Sequence, residues 1–342
     1  MSAAYAGNNI TGTAGLIAVD KVGNAIRFYD PATLPATLPA TLKEIAAIPG
    51  PEKCVHELAI SPDRTRAYIP LYGDGIYGAN KNPNNKILAV GLASRQIEAV
   101  FDLGDILAPH GMAAAPGGFL WVVCDIPDLL VAIDAASGRI AGRYPCPGKG
   151  AHQMSFSPDW KTIYVSHKEG PIGVFDVEVG KFVSTLPVSE RERGMGNGSG
   201  SEGIMPSPDG ASILALDNAS NALLVFDAKT HRLQDRIELE GNIFSNPKRS
   251  RLAKILYAPD ASCIAITAYA AGLCWLIDAR DLRTQTPITI AKGPQGMAFS
   301  PDGTSLLVSS HDSGLLTLID VTVQKATAAC DGGSGIEVLC WY

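Results

Sequence analysis

A chain of 342 residues, 46% apolar and 18% charged, has ample material for a sizeable buried core. Its net charge of -6 and the lack of any long basic run exclude a nucleic-acid footprint, and no run of about 18 or more apolar residues is present to span a bilayer. Residues Met1 to Ala14 carry neither a basic start nor an apolar stretch of signal-peptide length. The seven cysteines lack Cys-x-x-Cys spacing. Most of them (Cys124, Cys263, Cys274, Cys340) sit in or beside apolar strands and read as buried reduced thiols of a cytoplasmic protein.

Thirty-five glycines and 23 prolines spread along the chain predict many short elements joined by tight turns. In chain order, Gly15–Ile48 predicts three strands. Six units follow, starting near Cys54, Ala108, Gly150, Ser201, Leu252 and Gly293. Each unit is built around a short turn: Ser61-Pro62-Asp63, the degenerate Ala115-Pro116-Gly117, Ser157-Pro158-Asp159, Ser207-Pro208-Asp209, Ala258-Pro259-Asp260 and Ser300-Pro301-Asp302. Proline sets φ for such a turn and aspartate accepts backbone N–H groups within it. About twenty residues later an apolar strand ends in aspartate, at Asp134, Asp176, Asp227, Asp278 and Asp320, with Asp30 in the N-terminal stretch. Gly335–Tyr342 supplies one last strand without partners.

Four short strands, apolar on both faces, form no stable sheet alone, but such sheets stacked around an axis bury both faces. The prediction is an all-β, seven-bladed β-propeller with four antiparallel strands per blade. It is a single domain over residues 1–342, its ring closed where residues 335–342 join residues 15–48.

The last full unit, Gly293-Pro-Gln-Gly-Met-Ala-Phe-Ser-Pro-Asp-Gly through Leu318-Ile-Asp320, resembles the YVTN-type propeller repeat. That repeat is shared by surface-layer-like proteins, denitrification propellers and the lactonase family containing 6-phosphogluconolactonase. The resemblance covers nearly the whole chain and implies the propeller fold. It says little about function, which belongs to the site and not the scaffold. The lactonases' catalytic arginines are not visibly reproduced.

In this topology the loops entering each first strand share one face of the wheel with the loops between second and third strands. The entry loops read Val55-His56-Glu57, Pro109-His110-Gly111, Ala151-His152-Gln153, Ser201-Glu202-Gly203, Ala253-Lys254, Pro294-Gln295-Gly296 and Gly335-Ile336-Glu337. The other loops add Lys21, Asp125, His167, Lys168, Asp217, Tyr269 and His311. Five of six histidines therefore map to one face; His231 does not.

His56, His110, His152 and Glu202 form the predicted catalytic core, with His167, Lys168, Lys254, Tyr269, Gln295, His311 and Glu337 as substrate contacts. Three histidines with Glu202 as fourth ligand suit zinc, manganese or iron; the same groups suit metal-free acid–base work. Polar residues simply lining a wet channel are the plain alternative. Two insertions, Tyr72–Asn85 and Ser189–Ser201, lie near the same mouth, the second reading as a flexible lid. In a third extended loop Lys248, Arg249 and Arg251 could hold a substrate anion.

No P-loop, G-x-S-x-G or H-E-x-x-H motif is present, and no Cys-x-x-Cys-His, so neither a nucleotide cofactor nor a covalent haem is expected. The leading expectation is an enzyme with lyase, isomerase or hydrolase chemistry on an oxygenated carboxylate, lactone or polyketide-like small molecule. A non-catalytic propeller binding a metabolite or peptide comes second. An iron-dependent oxygenase, by analogy with the carotenoid-cleaving dioxygenases that share the seven-bladed ring and axial histidines, comes third.

Overall fold

Among the described residues, twenty-eight strands pair into seven four-stranded antiparallel sheets, as the turn spacing predicts. The computed structural model describes residues 15–30, 32, 42–52, 54–189, 200–240 and 251–342, and among these no α-helix occurs. Six blades are consecutive in the chain: β4(Ala59–Ile60) to β7(Gln96–Asp102), β8(Leu107–Ala115) to β11(Ile140–Pro145), β12(Lys149–Phe156) to β15(Lys181–Leu186), β16(Ile204–Pro206) to β19(Leu233–Glu238), β20(Leu252–Tyr257) to β23(Gln285–Thr289), and β24(Pro294–Phe299) to β27(Lys325–Asp331). They are blades two to seven below. Blade one orders β28(Ile336–Trp341), β1(Leu16–Asp20), β2(Ala25–Tyr29) and β3(Glu44–Pro49), so the last strand pairs with the first.

The burial pattern explains the stacking. The middle strands, such as Ala222–Asp227 and Leu273–Asp278, are buried on both faces between neighbouring blades, whereas an outer strand such as β15 alternates exposed and covered residues. The core is a set of apolar clusters, most of them at a junction between adjacent blades. One joins Leu214 and Leu223 of blade five to Ile266 and Trp275 of blade six.

The Ser-Pro-Asp turns do what their composition predicts. Ser61, Ser157, Ser207 and Ser300 each donate a hydroxyl hydrogen bond of 2.5–2.6 Å to the aspartate two residues on. Each also accepts the backbone N–H five residues on, from Arg66, Thr162, Ser212 and Ser305. These bonds hold the turn carboxylates below their ordinary pKa. The strand-ending aspartates act likewise: Asp134, Asp176, Asp227 and Asp320 each accept the N–H three residues on. All seven cysteines are free thiols, and burial raises the thiol pKa of Cys263 and Cys340 to about 11.

Ring closure centres on Asp20, which is fully buried. Its carboxylate accepts the N–H groups of Gly23, Ser334 and Gly335 and pairs with Arg27 at 2.8 Å. One carboxylate thus ties the β1–β2 turn to the segment entering β28. Removing one member of a buried pair strands the other, at a cost of about 3–5 kcal/mol. Asp20→Ala is therefore expected to destabilise the fold by about 3 kcal/mol or more in urea denaturation, while Asp134→Ala, in an exposed turn, costs about 1 kcal/mol or less.

Candidate functional site

At the entry end of the inner strands the regular ladder breaks in every blade. Register shifts interrupt pairing between Pro109 and Met112, Ala151 and Met154, Leu252 and Ile255, and Pro294 and Met297, and opposite Glu337 in β28. In blades two and five the strands β4 and β16 begin only after Glu57 and Glu202. Bulges re-aim side chains. Here they release His110, His152, Gln153, Lys254, Gln295 and Glu337 from the pleat. The repeat supplies a matching device: the buried hydroxyls of Ser166, Thr267 and Ser309, on second strands, accept the freed N–H groups of Gln153, Lys254 and Gly296.

Crowding sets which residues fit. A Cβ on Gly111 would lie 2.6 Å from the His152 carbonyl, and one on Gly296 2.9 Å from the Glu337 carbonyl. Glycine after the polar residue lets the next blade's inner strand approach.

Glu57, from blade two, accepts hydrogen bonds at 2.7 Å from Lys254 of blade six and Gln153 of blade four. None of these blades is adjacent to another, so the group spans the channel. Above it lie the histidines. His56 and His110 meet edge to face with ring centroids 4.3 Å apart, His110 and His152 lie tilted to each other at 4.1 Å, and the Tyr72 ring packs on His56 and His110. His152 Nε2 lies 3.8 Å from Glu202, whose other oxygen takes Lys168 at 2.9 Å. Opposite, Glu337 accepts Gln295 at 2.9 Å and faces His311 Nε2 at 3.6 Å, Lys21 at 4.0 Å and His56 at 3.8 Å. Tyr269 hydroxyl bonds both His311 and Asp312, and the Arg251 guanidinium stacks over its ring at 4.4 Å.

The structure therefore brings His56, His110, His152, Glu202, Lys168, Lys254, Gln295, His311, Tyr269 and Glu337 to one end of the channel. His167 stands apart. Its Nδ1 lies 2.7 Å from the Pro171 carbonyl and the residue is fully buried, because neighbours in a strand face opposite ways and Lys168 takes the channel side. Residues 190–199 of the expected lid, and Lys248 and Arg249 of the basic loop, lie outside the described residues.

Sequence reasoning assigned no role to Tyr72, Asp125 or Gln153, and weighed Glu57 only as an alternative carboxylate ligand beside the histidines, not as the partner of Lys254 and Gln153. Tyr72 opens the long insertion of blade two and donates a 2.5 Å hydrogen bond to Asp125. Burial, only partly offset by that bond, raises the Asp125 pKa to about 7.

Burial holds His56, His110 and His152 well below the ordinary histidine pKa. Lys21, Lys254 and Lys168 are the leading cations pushing the same way. All three are neutral imidazoles at pH 7, and Nδ1 of His56 and of His110 is buried with no hydrogen-bond partner. Among the described residues no group of three or more His, Cys, Asp or Glu is placed to hold one metal ion, so no step below is routed through zinc, manganese or iron.

Fold and site together define a seven-bladed propeller with a polar channel mouth. Among solved structures, the chain is similar over 96% of its length to a functionally unknown protein from Desulfotomaculum acetoxidans, covering 98% of that chain, with TM-score 0.72 and 13% identity. It is also similar to Kuenenia stuttgartiensis hydrazine synthase, with TM-score 0.60, 18% identity and 77% and 76% coverage of the two chains. At such identities the likeness concerns the fold alone. No protein-family model matches the chain, and no curated protein does.

Two predictions follow from the electrostatics. Folded histidines with depressed pKa stay neutral where the unfolded chain, with pKa about 6.5, takes up protons, so each contributes stability that is lost as pH falls below about 6.5. Asp125 works in the opposite direction, holding a proton that the unfolded chain releases above about 4. With three channel histidines against one carboxyl, the urea midpoint is expected to rise from pH 5 to 6.5. His110→Gln should flatten that rise and Asp125→Asn should steepen it. Lys254→Met leaves Glu57 without its cation and is expected to cost about 3 kcal/mol in the same assay, with Glu57→Gln in the Lys254→Met background recovering part of it.

Proposed function

We propose that the channel mouth is the active site of a small-molecule enzyme. It performs metal-free acid–base chemistry, of lyase, isomerase or hydrolase type, on an oxygenated carboxylate or lactone. The observation that carries this reading is the cluster of neutral, closely packed histidines, whose basicity is depressed by burial and, after it, by the surrounding lysines. The resemblance of Gly293–Asp320 to the repeat of lactonase-type propellers supports it.

His152 and His311 are the most accessible of the clustered imidazoles, with 12% and 19% of their side chains exposed, and each faces a glutamate. They come from blades four and seven, on opposite sides of the ring. His152 takes the proton from the substrate, and Glu202 stabilises the imidazolium that forms. His311, oriented by Tyr269 and Glu337, donates its own proton to the substrate on the other side, and exchange with water at the mouth then takes the proton from His152 and reloads His311. Lys168 and Lys21 bind the substrate carboxylate. An anionic substrate offsets the field of those lysines, so the histidines gain proton affinity when substrate arrives. The base is thus activated by the charge of what it acts on.

A second reading is a metabolite-binding propeller without turnover. It is favoured by the way Lys254, Lys168 and Gln295 already partner Glu57, Glu202 and Glu337.

The test is incubation in D₂O with δ-gluconolactone, malate or cis,cis-muconate, followed by ¹H NMR for ring opening, hydration or loss of C–H signals. Turnover of at least one probe is expected, falling about 100-fold or more in His152→Gln and His311→Gln with the fold intact by circular dichroism. Binding of a probe with no turnover would establish the second reading. Full turnover in both variants would remove these histidines from the mechanism.

A further inference from the structure

Tyr269 follows β21(Cys263–Ala268) in blade six, and His311 and Asp312 follow β25(Ser305–Ser310) in blade seven. One glycine fixes these two turns to each other. The Gly293 N–H donates to the Tyr269 carbonyl at 3.2 Å, and the Gly293 carbonyl accepts the His311 N–H at 2.7 Å. The φ of Gly293 is +79°, and a Cβ there would lie 2.7 Å from the Asp312 nitrogen, so this close approach needs glycine.

Three side-chain atoms meet as a result. The Tyr269 hydroxyl bonds Asp312 Oδ1, and His311 Nδ1 lies 3.1 Å from the hydroxyl oxygen and 3.5 Å from that same Oδ1. A carboxylate brings no hydrogen to such a group and a phenol brings one. Burial, and after it the Asp312 carboxylate, holds the Tyr269 phenol well above its ordinary pKa, so the phenol keeps its hydrogen. That hydrogen lies between the two oxygens, and the tyrosine oxygen has only lone pairs left for the imidazole. His311 Nδ1 therefore faces two acceptors and carries a hydrogen of its own. On the other side of the ring, Nε2 faces Glu337 Oε2 at 3.6 Å, and Lys21 lies 4.0 Å from the same oxygen. A separation of 3.6 Å is too long for a hydrogen bond, which leaves Nε2 available to a substrate.

We propose that Tyr269 and Asp312 are positioning residues that hold His311 in its Nδ1–H form, so that every proton it exchanges with substrate passes through Nε2. The catalytic half of this inference rests on the acid–base reading of the mouth; the tautomer does not. On donation the Nε2–H bond of the imidazolium breaks, its hydrogen bonds to the substrate, and the electron pair stays on Nε2. What remains is the neutral Nδ1–H imidazole that Tyr269 and Asp312 already favour. The charged groups around this ring are Asp312, Glu337 with Lys21, and Arg251, whose guanidinium lies over the Tyr269 ring at 4.4 Å.

Two-bond ¹H–¹⁵N correlation spectra of the full chain, labelled with ¹⁵N-histidine, read the protonated nitrogen without any substrate, and His311→Gln assigns the signal. At about pH 9, well above the ordinary histidine pKa of about 6.5, the hydrogen is expected on Nδ1. In Asp312→Asn the new amide can donate to the Tyr269 oxygen and turn its hydroxyl toward Nδ1, so His311 is expected to shift toward the Nε2–H form. The double variant Tyr269→Phe/Asp312→Ala removes both acceptors and should release the preference altogether. A hydrogen on Nε2 in the unaltered chain, or an unchanged tautomer in both variants, would overturn the proposal. With whichever of δ-gluconolactone, malate or cis,cis-muconate is turned over, Asp312→Asn should lower kcat roughly 10-fold or more and leave KM within about 2-fold. A shifted tautomer with unchanged kcat would remove the pair from the mechanism. Absence of turnover, with Nδ1–H found in the unaltered chain, would sink the acid–base reading while supporting the tautomer assignment.

Discussion

The carboxylate of Glu57 is the interaction on which the interior depends. It reaches from blade two to partners on blades four and six, none of them neighbours, and is itself only 4% exposed. A charge placed there is tolerable only because an ammonium and an amide meet it at 2.7 Å. The consequence is a divided channel. On one side are imidazoles, lysines and glutamates; on the other, Met112, Met154, Met205 and Met297 with Phe299 and Trp341. A propeller axis without such a crosspiece would be one wet tube, and water would relieve both the burial and the lysine field that keep the histidines neutral.

The fold was legible in the sequence because its determinants are local. A serine, a proline and an aspartate recur at fixed places, and each serine makes the same two hydrogen bonds in each blade where it occurs. The three-plus-one arithmetic of the ends reproduces the pairing of β28 with β1. The convergence of His56, His110 and His152 was also legible, since equivalent positions in adjacent repeats must lie side by side. What could not be read is how those side chains are aimed. Bulges turn His152 and Gln153 both inward where a regular strand would send them to opposite faces, and they let Gln153 reach past blade three to Glu57. His167 shows the converse: strict alternation beside Lys168 excludes it from the channel, a rule that the sequence carries but a face-level map overlooks. The pairing of Tyr72 with Asp125 joins the ends of β5(Arg66–Gly73) and β9(Phe119–Ile126) on adjacent blades, and no spacing rule announces it.

The mouth is arranged at the expense of stability. Buried neutral histidines weaken the fold as pH falls, and a carboxyl with a folded pKa near 7 weakens it as pH rises from about 4 to about 7. Strong secondary structure elsewhere, including hydroxyls that cap every freed N–H named above, supports this concentration of unfavourable groups. Such local conflict within a consistent scaffold marks a functional region more reliably than any single residue type does.

The clamp at Asp20 has a further meaning in time. Its partner N–H on Gly335 lies 315 residues away along the chain. At a synthesis rate of about 5–20 residues per second, β1 waits on the order of tens of seconds for the strand that completes its sheet. Six blades can form in order as they emerge, but blade one stays a three-stranded sheet with an open inner edge until the end. The nascent chain therefore carries an open strand edge on β1 for as long as it takes to reach β28, and an open edge of this kind is a template for pairing with another chain.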